Sequence, residues 1–168
     1  MIHASKERPV LVKVVEGVRI LGTGAGFCLA YGAWNPEAPD TIRILALTFA
    51  VAMCGTCAFE GIFLSRATAL EKGYASSGDG KINPYHIQNT MCFVAATIVG
   101  IAWGLGYPGA TQGFLVYVAL VSIFFLLSAS NHACQAVRHE NRTWQNLNRP
   151  FLTLAMVGGG VPIMVSYL

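Results

Sequence analysis

The chain has 168 residues, 54% of them hydrophobic and only 11% charged, with a formal net charge of +3. Soluble domains carry about 25% charged residues, so this composition excludes an ordinary soluble domain and points to a polytopic membrane protein. The basic residues sit at the ends of apolar blocks, where orientation and anionic lipid account for them, which argues against nucleic acid as a partner.

The apolar run Ile20 to Trp34 predicts a first helix over about residues 17–34, with Arg19 at or near the membrane surface. Lys6, Arg8 and Lys13 ahead of it resemble the start of a signal peptide. Glu7, Glu16 and Arg19 interrupt that pattern, so a retained anchor is expected. Gly22, Gly26 and Ala30 form a small-residue stripe at four-residue spacing, which allows another helix to approach closely.

After the turn Asn35 to Asp40, a second helix is expected over 42–72, apolar from Arg43 to Arg66 except for Glu60 and carrying the stripe Ala50, Cys54, Ala58. The turn-rich linker Tyr74 to Pro84 leads to a third helix over 85–107, with Ala96, Gly100 and Gly104 as its stripe. A fourth helix is expected over 114–137 and a fifth over 151–168, the last interrupted by Gly158-Gly-Gly160 and Pro162. These stripes predict oligomerisation or further membrane subunits. The whole reads as one all-α domain, a bundle of five transmembrane helices. The lysine and arginine distribution puts the N-terminus in the cytoplasm and the C-terminus on the outer side of what reads as a prokaryotic cytoplasmic membrane.

Charged and amide side chains inside these helices are the candidate functional groups. Glu60 lies six residues before Arg66, and Asn131 and His132 six or seven before Arg138, so at 1.5 Å per residue both are roughly 10 Å in from the cytoplasmic ends of their helices. Gln88 and Asn89 open the third helix on the same side, and Ser128, His132, Gln135 and His139 share a face of the fourth. Glu60, His132, Asn131, Gln88, Gln135 and Arg19 therefore form a predicted inner-leaflet polar layer. An intramembrane acid either faces the bundle and pairs or carries a proton.

Soluble-enzyme chemistry has no support. No Gly-rich phosphate loop or Ser/His/Asp set is legible, and the histidines lack metal-site spacing, so no metal is expected. The five cysteines fall inside expected helices and read as packing residues, Cys54-Gly-Thr-Cys57 included. The expected role is a complex subunit, or a module binding or moving a proton or small solute through the polar layer. A haem- or quinone-binding redox subunit is the alternative.

Two stretches, Asn83-Pro-Tyr-His-Ile-Gln88 and Asn131-His-Ala-Cys-Gln135 followed by Asn141, Asn148 and Pro162, resemble a family of small uncharacterised prokaryotic membrane proteins. The resemblance covers about half the chain and departs from the family pattern at Gln88, where the family has an acid. It implies a polytopic membrane protein and carries no activity.

Overall fold

The structure, a computed structural model, describes residues 8–71 and 84–168. Of the linker expected over Tyr74 to Pro84 all but Pro84 lies outside the described residues, as does Lys6 of the basic N-terminal stretch. Six helices follow in order: α1 (Arg8–Gly32), α2 (Asp40–Phe63), α3 (Ser65–Glu71), α4 (Pro84–Gly106), α5 (Thr111–Arg138) and α6 (Trp144–Val165). Every regular element among the described residues is helical.

Three segments are long and apolar enough to cross a membrane: Asp40–Phe63, His86–Gly106 and Thr111–Arg138. α1 and α6 are not among them, because Lys13, Glu16 and Arg19 interrupt one and Gln145, Asn146, Asn148 and Arg149 the other. Three boundaries differ from expectation, the first being that of α1, which begins at Arg8 and not near 17. α6 begins at Trp144 and not near 151, because the amide-rich stretch read as a polar tail is its first turns. The second helix is broken at Leu64, whose backbone leaves the helical region (φ −123°, ψ 10°), so α3 is a separate short element.

α2 is the hub, packing against α1, α4, α5 and α6. α1 and α4 both run antiparallel to it. Gly26 of α1 lies against Thr48 and Gly22 against Ala52, while on the other side Gly61 meets Thr90 of α4 and Gly104 meets Leu47. At Gly26 and Gly61 any side chain would run into the facing threonine, so only glycine permits the approach. Thr48 and Thr90 turn their hydroxyls back onto their own helices, at 2.8 Å from the Ile44 and His86 carbonyls, and so satisfy their polar atoms locally. The stripes on α1, α2 and α4 are thus used within the chain, which removes the basis for reading them as docking faces for partners.

Phe49, Ile42 and Leu45 of α2, Phe114 and Val118 of α5 and Ile163 of α6 form the deepest packing. The end of the molecule that carries Gly32, Asp40, Gly106 and Thr111 is called the upper end. It is tied by Arg43 Nε donating to the Gly104 carbonyl at 2.8 Å, in the last turn of α4, and by the Tyr167 hydroxyl donating to the Ala38 carbonyl at 2.6 Å.

The middle of α2, Phe49–Gly55, is π-helical. Such wide turns misalign the carbonyl ladder and recur at functional sites. Here Thr56 follows at once, and its hydroxyl bonds back to the Ala52 carbonyl at 2.7 Å.

Candidate functional site

The lower half of the bundle contains a cavity of about 220 Å³ between α1, α5 and α6, with Met53 of the π-helical turn at its back. α1 supplies Glu16, Arg19, Ile20, Thr23, Gly24 and Phe27. α5 supplies Phe125, Ser128, Ala129 and His132, and α6 supplies the wall from Arg149 to Met156. Most of this surface is apolar, and the polar groups gather at the lower end.

α1 and α6 run parallel and flank the cavity without packing closely along it. They are pinned at two levels. Below, Asn148 Nδ2 donates to Glu16 Oε1 at 3.4 Å; above, the Tyr31 hydroxyl donates to the Gly159 carbonyl at 2.7 Å, beside Phe27. Between the pins the helices part, and the lining residues Ile20, Gly24, Leu152 and Ala155 are exposed on the outer face. The cavity therefore opens sideways, through a window between two helices.

Arg19 and Glu60 are 8% and 3% exposed, and Arg19 Nη2 lies 2.8 Å from Glu60 Oε2. Arg19 Nε donates to the Thr56 hydroxyl at 2.7 Å, so the π-helical turn and the threonine that caps its loose carbonyls form the seat for the guanidinium. An ion pair withdrawn from water recovers its desolvation cost only with such added hydrogen bonds. Arg19 is thus inside the bundle, not at the surface end of its helix as its sequence position suggested.

His132, 5% exposed, lies 2.6 Å through Nδ1 from Asn146 Oδ1. Asn146 Nδ2 donates to the Asn141 carbonyl at 2.8 Å, which fixes the amide orientation and makes Oδ1 the acceptor. Oδ1 therefore accepts from His132 Nδ1–H. Glu140, with φ 54°, reverses the chain between α5 and α6, and Asn146 closes that turn against α5.

The six candidate residues do not form one layer. Arg19, Glu60 and His132 are buried at the same level, and Arg19 and His132 both line the cavity. Gln135 is half-buried one turn lower on the His132 face. Asn131 and Gln88 are exposed on outward faces of α5 and α4. Both lie outside the cavity, because a helix rotates by about 100° per residue and these positions point away from α2.

Four residues of the site were not singled out by sequence reasoning. Glu16, 6% exposed, lines the cavity wall. Asn146 and Asn148 are structural partners of His132 and Glu16. Arg149, read as topology and lipid contact, lines the cavity. Ion pairs among the described residues join Arg19 to Glu60 and Arg43 to Asp40, so Arg149 has no carboxylate partner there, and its buried Nε has no acceptor. The Thr23 hydroxyl on the opposite wall is also buried without a partner.

Among the described residues no group of three or more His, Cys, Asp or Glu is placed to hold a metal ion, and the five cysteines are unpaired. Compared with family models, with curated proteins and with solved structures, the chain matches none.

Proposed function

We propose that this is a multi-pass membrane module that binds a small lipid-soluble molecule in the cavity between α1, α5 and α6, taking it sideways from the bilayer. The observation that carries this reading is the window: an apolar cavity with a polar lower end, opening through exposed apolar residues between two helices pinned only above and below. Sites of this kind pair a large apolar surface with a few oriented polar groups. Arg19, Glu60 and His132 supply the fixed part of that polar end and Arg149 the part still able to bond a ligand.

In this reading α1 and α6 also cross the bilayer, giving five spans with the N-terminus in the cytoplasm of a prokaryotic cell and the C-terminus outside. Their low apolarity is compatible with that, since Glu16, Arg19, Gln145 and Asn146 are buried against other helices and not turned to lipid. The distribution of basic residues supports the orientation.

Size supports a small occupant over a haem. A cavity of about 150 Å³ holds one benzene ring, and this one, at about 220 Å³, suits a single ring with small substituents. The small-residue stripes, spent inside the bundle, lend no support to a subunit role. A photoactivatable single-chain amphiphile tests the binding reading. Irradiation in nanodiscs is expected to label positions 20–27 and 149–156; labelling spread evenly over all lipid-facing residues would reject the pocket.

A further inference from the structure

Resting on that binding reading, we infer that the occupant is a lipid-soluble quinone, its ring in the cavity and its isoprenoid tail leaving through the window. Three features of the cavity lead there.

The first is charge. Glu16, Arg19 and Arg149 line the cavity and Glu60, outside the lining, pairs with Arg19, so the two acids and two bases around this end cancel in formal charge. Adding an anion leaves one charge uncompensated in a water-poor site, which is costly. A neutral ligand keeps the balance. The second is the set of unsatisfied groups. Among the lining residues, Arg149 Nε on α6 is a donor without an acceptor and the Thr23 hydroxyl on α1 is a second group without a partner, on the opposite wall, while Arg19 Nη2 is held by the charge of Glu60. His132 Nδ1 is already engaged with Asn146 Oδ1. The missing complement is a neutral molecule with two acceptors on opposite sides, which is the arrangement of the two carbonyl oxygens of a para-quinone.

The third is shape. The lining also includes Phe27, Phe125, Met53 and Met156. Aromatic rings and thioethers of this kind pack well on the faces and edges of a flat ring. The volume takes a ring with small substituents but not a diacyl lipid, so the tail must lie outside. The exposed gap at Ile20, Gly24, Leu152 and Ala155 is where it would leave.

The test is equilibrium binding of decylubiquinone to the purified full-length protein in nanodiscs, with oleate as the anionic competitor. One-to-one binding is expected. Arg149→Met is expected to weaken it roughly 10-fold or more, the range for a hydrogen bond from a charged donor, and Thr23→Val roughly 3- to 10-fold. Thr23→Val keeps the side-chain shape, so it decides the matter if Arg149→Met does not fold. Tighter binding of oleate, with displacement of decylubiquinone, would overturn the quinone assignment while leaving the pocket a lipid-binding site. Binding of decylubiquinone that neither substitution weakens would also overturn it. If neither probe binds saturably, the binding function itself falls.

Discussion

Glu16 of α1 and Asn148 of α6 meet at 3.4 Å across 132 residues of sequence, and 11 residues further along α6 Gly159 accepts a hydrogen bond from Tyr31. These two contacts set the spacing of two parallel helices and leave the opening between them. Tyr31→Phe removes the closer pin and one hydrogen bond, a loss of about 1 kcal/mol. It is also expected to raise hydrogen exchange selectively around Gly158 to Pro162, where proline already deprives the Gly158 carbonyl of its helical donor. Unchanged exchange in that stretch would show that the pin does not hold α6.

The Arg19–Glu60 pair predicts an asymmetry between single and double substitutions. Glu60→Ala leaves the Arg19 guanidinium buried without its counter-charge and is expected to destabilise the bundle by about 3–5 kcal/mol. The pair Arg19→Met with Glu60→Met removes both charges at similar volume and is expected to recover most of that loss. Thermal unfolding in detergent measures both. A stable Glu60→Ala protein would mean that the carboxylate is not neutralising Arg19.

Leucine substitutions at three glycines separate packing from cavity. At Gly26 and Gly61 the side chain meets Thr48 and Thr90, and each change is expected to cost about 1–3 kcal/mol or more by forcing helices apart. At Gly24 a Cβ meets nothing within 4 Å, so Gly24→Leu is expected to fold like the parent. Equal effects at all three positions on unfolding temperature would contradict the assigned packing faces.

Terminal reporter fusions in a bacterial host test the orientation. A fluorescent protein that matures only in the cytoplasm is expected to light up at the N-terminus and stay dark at the C-terminus. Fluorescence at both ends would require an even number of spans.

The helices themselves were legible because uncharged apolar runs of bilayer length leave few alternatives, and α4 and α5 match their expected spans within a few residues, while α2, expected to run to 72, ends at Phe63. Glu60 and His132 stood out for the same reason, as polar residues inside such runs. What was not legible was helical phase. Asn131 and His132 are adjacent, yet one is exposed and the other buried, and that difference follows from which helix lies beside α5, a fact of tertiary packing. The amide cluster Gln145, Asn146 and Asn148 was misread because polar composition in a short stretch resembles a loop; in the fold its hydrogen bonds to His132, Asn141 and Glu16 make it the start of α6. The π-helical turn in Phe49–Gly55 left no mark in the sequence beyond the threonine that follows it.

The central claim is that the window leads to an occupied binding site, and it is tested most directly by extracting the protein as purified from membranes and comparing it with Gly24→Leu. Gly24 lines the opening with free space around it, so leucine there narrows the entrance and spares the fold. Organic extraction with mass spectrometry is expected to return a near-stoichiometric lipid-soluble compound from the parent and at least about 10-fold less from Gly24→Leu, a difference of about 1.4 kcal/mol in binding. The same compound at the same stoichiometry from both proteins, with both equally folded, would contradict the account.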